Sequence, residues 1–282
     1  MTKDADNNNQ TINIEIQLIL DAIYSKYGYD FRNYSRAHVK RRLINRVTSS
    51  KLNSISEMQH KILRDPAFFE LVLCDLSINV TEMFRDPGFY LALRKEVIPI
   101  LKTYPFIKVW HAGCSSGEEV YSFAVVLKEE GLYNRTQIYA TDFNREVLDI
   151  AKKGIYPIDR IKEFTANYQA AGGTQSFSDY YMANYNSVIY DKSLKKNMVF
   201  AEHNLVTDSV FAEVNLVICR NVLIYFNKEL QNRVVNLFYE SLVNGGYLGL
   251  GSKETVQFTS NNNNFGIVNR DEKIYKKKII KS

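Results

Sequence analysis

Apolar positions recur at helical spacing through the first part of the chain. Ile16, Ile19, Leu20, Ile23, Tyr24 and Tyr27 fall at i, i+3, i+4 and i+7, one face of an amphipathic helix. Asn13 is placed to cap its start and Gly28 to stop it. A second helix is expected from about Ser35 to Ser49, with Val39, Leu43, Ile44 and Val47 inward and Arg42 and Arg46 on another face. Ser54 with Glu57 makes a capping box for a third. Pro66 stands where a fourth begins, and Phe68, Phe69, Leu71, Val72 and Leu73 supply its apolar face. No strand pattern occurs before residue 100.

The pattern then changes. A segment from Ser77 to Asp86 is followed by a helix from Pro87 to about Lys102. Beyond it, strands at 106–112, 137–141, 214–219 and 246–252 alternate with helices at 118–130, 145–153 and 228–243. That alternation predicts an α/β fold: a parallel, Rossmann-like sheet covered by helices and preceded by a small all-helical domain. The alternation breaks between residues 155 and 213, where Gly172-Gly173 and Tyr180, Tyr181, Tyr185 and Tyr190 suggest an inserted β hairpin. The expected organisation is a disordered tail over 1–12, a helical domain over 13–76, a linker over 77–94, and the α/β domain over 95–282 with a β insert at about 173–200.

Hydrophobic residues make up 45% of the 282, enough for real cores in both parts. The net charge of +5 says little, but its distribution says more. Ten Lys and Arg stand between Lys26 and Arg64 against two acids, Asp30 and Glu57, so an acidic partner surface suits the helical part. Cys74, Cys114 and Cys219 are odd in number and far apart, which excludes a disulfide framework or zinc spacing. No secretory signal and no apolar run near membrane-spanning length is visible, so a cytoplasmic protein is expected. His38, His60, His111 and His203 show no metal-ligand spacing.

The chemistry concentrates between Val109 and Asp142. A strand ends in the small-residue loop Ala112-Gly113-Cys114-Ser115-Ser116-Gly117, a helix opens with Glu118 and Glu119, and a second strand ends at Asp142. This is a nucleotide-binding βαβ unit in which the loop lets a ligand approach the backbone and the acid takes two ribose hydroxyls. The spacing is not G-x-G-x-x-G. Two carboxylates at the helix start oppose a pyrophosphate there. An adenosine ligand with a positive charge fits better, and S-adenosylmethionine (SAM) is one. Glu119 then neutralises the amino group of its methionine part. The blander alternatives are that Asp142 caps the next helix and that Glu119 complements a helix dipole. Cys114 reads as a packing residue. Cys219-Arg220-Asn221-Val222-Leu223-Ile224-Tyr225-Phe226 follows an apolar strand, at the edge where open α/β sheets bind ligands.

Three segments together resemble one family, the chemotaxis receptor methyltransferases of the CheR type. Asn79-Val-Thr-Glu-Met-Phe-Arg85 resembles N-x-T-x-F-F-R, Trp110 to Ser122 resembles W-x-A-x-C-S-x-G-E-E-P-Y-S, and Cys219 to Phe226 resembles C-R-N-V-x-I-Y-F. The resemblance implies a SAM-dependent protein-glutamate O-methyltransferase. It would esterify glutamates on the cytoplasmic helical domain of chemoreceptors or related signalling proteins and release S-adenosylhomocysteine (SAH). By resemblance, SAM contacts fall on Asn79, Thr81, Arg85, Glu119, Asp142, Asn204, Leu205, Arg220 and Asn221, the linker thus contributing to the SAM site. Arg85 and Tyr225 fall beside the reacting methyl as catalytic residues, and the basic helix bearing Arg42 and Arg46 docks on an acidic receptor bundle. A second, tyrosine-bearing contact is expected from the insert. Val120 replaces the usual proline, Met83 a phenylalanine, and Gly251-Ser-Lys-Glu254 stands where enteric members have G-H-S-E. The last departure bears on which protein is the substrate. A monomer without metal, nucleic acid or membrane insertion is expected. The competing readings are a SAM-binding signalling adaptor with little catalysis and a nucleic-acid methyltransferase. The second lacks a base-reading motif such as N-P-P-Y.

Overall fold

A computed structural model describes residues 2–77 and 81–279, with side chains from Asn9 onward. The chain forms two compact units, one of residues 1–78 and 225–231, the other of residues 79–224 and 232–282.

The first unit holds helices α1 (Thr2–Tyr27), α2 (Arg36–Ser49), α3 (Ile55–Ile62) and α4 (Pro66–Leu76). Ile16, Ile19, Leu20 and Ile23 of α1 are buried with Val39 and Leu43 of α2, Met58 and Ile62 of α3, and Phe69 and Val72 of α4. Tyr27 stacks on Phe69 with ring centres 3.7 Å apart. Helices α3 and α4 begin on side-chain caps. The Ser54 hydroxyl accepts from the Glu57 amide at 3.1 Å, and Asp65 accepts from the Phe68 amide at 3.1 Å just before Pro66. Glu57 reaches one residue further back than a capping box requires, to the Asn53 amide at 2.8 Å.

Several expectations need correction here, and Tyr24 of α1 and Leu71 of α4, expected on apolar faces, are exposed. Helix α1 begins at Thr2 rather than Asn13, because no proline or glycine interrupts the polar residues ahead of Asn13. Ile44 is exposed rather than inward, since α2 turns the stripe of Val39 and Leu43 to the core. Residues 225–231 belong to this unit through backbone pairing. The Ser35 amide donates to the Tyr225 carbonyl at 2.7 Å, and the Asn227 amide to the Asn33 carbonyl at 2.9 Å.

The second unit opens with α5 (Pro87–Ala92), a π turn over Leu93–Val97, and α6 (Ile98–Leu101). The π turn precedes Pro99, which lacks an amide proton and crowds the carbonyl four residues earlier, so the helix widens there. Then follow β1 (Ile107–Ala112), α7 (Glu118–Glu129), β2 (Thr136–Asp142), α8 (Arg145–Lys153), β3 (Ile155–Pro157), α9 (Ile161–Ala170), β4 (Tyr181–Asn184), β5 (Ser187–Tyr190), β6 (Met198–Glu202) and β7 (Val214–Cys219). Helix α10 (Lys228–Ser241), β8 (Leu242–Leu250), β9 (Phe265–Asn269) and β10 (Ile274–Lys277) complete the chain.

Seven strands form one sheet in the order β6-β2-β1-β7-β8-β10-β9. Strands β6, β2, β1, β7 and β8 pair in parallel, and β10 and β9 add an antiparallel edge. All six residues of β7 are buried, as an apolar strand covered on both faces requires. The order turns at β1, which leads to β2 on one side and lies beside β7 on the other, so the carboxyl ends of β2, β1 and β7 border the switch point.

The insert is a three-stranded antiparallel sheet, β3-β5-β4, rather than a hairpin alone. Its tyrosines mostly build a core. Tyr180 and Tyr190 are buried, while Tyr185 at the β4–β5 turn is 96% exposed. No described helix is long and apolar enough to cross a membrane.

Candidate functional site

The loop after β1 is shaped by its contacts with the end of β2. The Gly113 and Cys114 amides both donate to the Thr141 carbonyl, at 2.8 and 2.9 Å. The Ser115 amide donates to Asp142 Oδ2 at 2.9 Å, and the Asn144 amide to Oδ1 at 3.0 Å. Asp142 therefore braces the loop with one carboxylate oxygen and caps the next turn with the other. Gly113 has φ +74°, and a Cβ there would stand 2.6 Å from Val222 of the loop after β7, so the two loops could not approach with a larger residue. Burial pushes the Asp142 carboxyl up, and the surrounding backbone donors oppose that shift without cancelling it.

Helix α7 presents two acids in different surroundings. Glu118 is buried and accepts from the Ser116 hydroxyl at 2.7 Å, and burial raises its pKa. Glu119 meets Arg220, whose Nη1 donates to Oε2 at 2.8 Å, while His111 Nδ1 lies 3.5 Å from Oε1. Burial pushes Glu119 up, but Arg220 and His111 outweigh it and hold the carboxyl below its usual range. Glu119 is thus ionised at neutral pH and suited to an ammonium group. Arg220 donates its other arm to Asp86 Oδ2 at 2.6 Å and lies 4.3 Å over the Phe89 ring. Its buried Nε has no partner among the described residues. Burial would lower the Arg220 pKa, but the facing carboxylates win and raise it.

The segment before α5 is drawn into the same place. The Phe84 amide donates to the Ser122 hydroxyl of α7 at 2.9 Å. Phe84 and Asp86, on either side of Arg85, have φ of +53° and +52°. Two non-glycine residues in that region are a local strain held by surrounding contacts. The Thr81 carbonyl accepts from Arg160 Nη1 at 3.0 Å. At the far end of β2, the His203 amide donates to the Asp142 carbonyl at 3.1 Å and starts a tight turn. There Asn204 Oδ1 accepts from the Val206 amide at 2.9 Å, and Leu205 is buried.

In the second unit Glu119 lies in the first turn of α7 after β1, Asp142 ends β2, Asn204 and Leu205 follow β6, and Arg220 and Asn221 follow β7, while Asp86 ties the segment of Arg85 to Arg220 and Thr81 lies beside Arg160. Asn79 lies outside the described residues. Tyr225, Arg42 and Arg46 belong to the helical unit. There the Tyr225 ring packs edge-on against His38, with centres 5.4 Å apart.

Arg42 and Arg46 differ from the expected free basic face. Arg46 Nη2 and Nε both pair with the Asp75 carboxylate, the first at 2.8 Å and the second at 2.5 Å, and Arg42 donates to the Asp75 carbonyl. Arg36 and Arg41 are the exposed arginines of α2. Residues that the sequence reading did not assign include Ser122, which lay inside a quoted motif, and Asp86, adjacent to another. Among the described residues, no cluster of three or more His, Cys, Asp or Glu could hold a metal. Burial pushes the Cys114 thiol well up, as suits packing.

The donor set fits SAM: a carboxylate held low for its ammonium, a guanidinium for its carboxylate, and a strand-end aspartate for its ribose. Comparisons with known proteins agree. The all-alpha domain of CheR methyltransferases matches residues 14–77, and their SAM binding domain matches residues 79–274. A Pseudomonas putida protein named methyltransferase Cher3 is 51% identical over 94% of this chain and 97% of its own length. The chemotaxis protein methyltransferases of Listeria monocytogenes and Borreliella burgdorferi are each 29% identical, over 81% and 90% of this chain and 85% and 93% of theirs. With both domains matched in order along almost the whole sequence, the chain belongs to the CheR methyltransferase family and binds SAM.

Proposed function

We propose that this protein methylates glutamate side chains on the cytoplasmic helical domain of a chemoreceptor or related signalling protein, giving glutamyl methyl esters and SAH. The observation that carries the reading is the paired arrangement of Glu119 and Arg220 at 2.8 Å beside the Asp86 end of the Arg85 segment. It supports a site for a zwitterionic cofactor, and Arg85, next to Asp86 in sequence, is the arginine proposed for the carboxylate acceptor. The names of the relatives as chemotaxis protein methyltransferases support the choice of acceptor.

Bound SAM supplies an electrophilic methyl for in-line displacement by a carboxylate oxygen. A glutamate acceptor has a reference pKa of about 4.3 and is ionised at neutral pH, so no general base is needed. The work of the protein is positioning, which contributes up to roughly 7–11 kcal/mol when orientation is good. Arg85 orients the acceptor carboxylate without holding it tightly, since a tight ion pair would stabilise the ground state. Tyr225 holds the second acceptor oxygen or lines the methyl channel. The test is transfer of radiolabelled methyl from SAM to receptor cytoplasmic fragments, followed by mild base. Label released as methanol supports glutamyl esters, whereas base-stable label or none on any receptor fragment removes the proposal.

A further inference from the structure

Glu254 is a buried carboxylate with no cation facing it among the contacts of the described residues. It is 4% exposed, and every hydrogen bond it receives comes from a backbone amide. Oε2 accepts from the Asn221 amide at 3.0 Å and from the Gly251 amide at 2.6 Å, and Oε1 accepts from the Ile224 amide at 3.2 Å. The Leu223 amide adds to the same set. Strands β7 and β8 run in parallel with Cys219 opposite Leu250, so their terminal loops leave the sheet side by side. Glu254 closes its own turn back onto the Gly251 carbonyl at 2.9 Å, and its side chain then spans to the neighbouring loop.

That neighbouring loop starts with Arg220 and Asn221 and runs through Ile224 to Tyr225. Asn221 has φ +61°, a conformation that asparagine tolerates only at some cost. The packing leaves no slack. A Cβ on Gly251 would stand 2.8 Å from Glu254 Oε2 and 2.9 Å from the Asn221 amide nitrogen. Burying a carboxylate is costly unless its oxygens are satisfied, and here amides from two loops satisfy them. Burial raises the Glu254 pKa while the backbone donors oppose the rise, and its charge in turn helps to raise the Cys219 thiol.

We infer that Glu254 is a positioning residue of the methyltransferase site. It is an acceptor-only clamp that fixes the Asn221–Ile224 turn and thereby the placement of Arg220. It touches neither cofactor nor acceptor in this role. The chemistry requires both oxygens to accept. Glutamine would set an NH2 donor against amide donors, and aspartate is one methylene too short for the same span.

This inference rests on the methyltransferase reading only for its kinetic arm, so two arms are measured on the full chain. The first is amide hydrogen exchange at Asn221, Leu223 and Ile224 in wild type, Glu254→Gln and Gly251→Ala. Both variants are expected to lose protection there while the β1, β2 and β7 amides stay protected. The second arm is labelled methyl transfer to a receptor fragment at saturating SAM, beside SAH affinity by calorimetry. Misplacement of the turn by about an ångström is expected to lower kcat roughly a hundredfold, with a smaller loss of SAH affinity. Glu254→Gln should behave like Glu254→Ala rather than rescue it. Unchanged exchange in Glu254→Gln overturns the clamp, and so does a kcat loss no larger than the loss of affinity. If wild type transfers no methyl to any receptor fragment, the acceptor assignment falls and the exchange arm still decides the role of Glu254.

Discussion

Arg220 and Glu119 meet at 2.8 Å, with the guanidinium side chain only 2% exposed and its second arm on Asp86. Removing the cation leaves the largely buried Glu119 without its charge partner, whereas Asp86 is 43% exposed and falls back on water. Arg220→Ala should therefore cost on the order of 3–5 kcal/mol, carried by Glu119 losing its cation, with the exposed Asp86 adding little. Glu119→Gln should cost less stability, since Arg220 keeps Asp86, and should act chiefly on SAH affinity. Urea unfolding and calorimetry on the two variants test this split. Equal stability losses would mean that Asp86 contributes nothing to holding Arg220.

The strand ends that build this edge were legible in the sequence because their signals are strong. Val109 to Ala112, Ile138 to Asp142 and Val214 to Cys219 are apolar runs ending at polar loops, and helix α8 stops at Gly154 as its C-cap. Strand β6 was not legible. As an edge strand it is mostly exposed, with Val199 turned to solvent, so Met198–Glu202 lacks a clear period. The β9–β10 pair was missed for a related reason, being short and following an asparagine-rich loop. Periodicity also could not tell that Arg42 and Arg46 find Asp75, since the pairing depends on how α2 and α4 pack. Glu254 was visible only as the matching last residue of a segment, Gly251-Ser-Lys-Glu254, that departs at Ser252 and Lys253. Nothing in sequence spacing says that a carboxylate will receive amides from a loop some thirty residues earlier.

Asp142 should govern ribose binding. Asp142→Ala is expected to weaken SAH by about tenfold or more, the equivalent of losing on the order of 1.5–3 kcal/mol of charge-assisted bonding. The acid also braces Ser115 and Asn144 through both oxygens, so Asp142→Asn, whose NH2 would face one of those amide donors, should recover little of the loss. Calorimetry on variants with unchanged circular dichroism measures this. An Asp142→Ala protein with wild-type affinity would refute the ribose assignment.

The two acids should part company as pH falls. Asp142 has a raised pKa, so it takes up its proton above the ordinary aspartate range near about 3.9, whereas Glu119 is held low and keeps its charge. For stability the signs are opposite. The folded state binds the Asp142 proton more tightly, so that contribution is present at low pH and is lost as pH rises through the folded value. The Glu119 contribution is present above its unfolded value and is lost as pH falls through its folded one. SAH affinity should therefore decline on the acid side before Glu119 titrates, and Asp142→Asn should flatten that limb. An acid limb unchanged in Asp142→Asn would assign it elsewhere.

Arg85 and Tyr225 are expected to act on transfer more than on cofactor binding. Arg85→Ala and Tyr225→Phe should each lower kcat at saturating SAM by more than they lower SAH affinity. The Tyr225 hydroxyl can be removed without disturbing the Ser35 amide bond, which uses the Tyr225 carbonyl. Full transfer activity in both variants would exclude the proposed roles.

The docking surface of α2 can be separated from its internal ion pair. Arg46 and Asp75 are partly buried, with side chains 21% and 31% exposed, so Arg46→Ala should destabilise the protein by about 1 kcal/mol, near the upper end for exposed pairs. Charge reversal at Arg42 and Arg46 would place two acids against Asp75 and damage the helical unit itself. The docking test therefore belongs to the exposed Arg36 and Arg41. The Arg36→Glu/Arg41→Glu pair should slow methylation of an acidic receptor fragment while SAH affinity stays unchanged. The deficit should shrink as salt rises, because exposed charges are screened beyond about 8–10 Å near physiological ionic strength. Methylation rates against ionic strength, wild type beside the double variant, decide it. Identical rates and identical salt slopes would mean that this face of α2 is only a solvated helix surface.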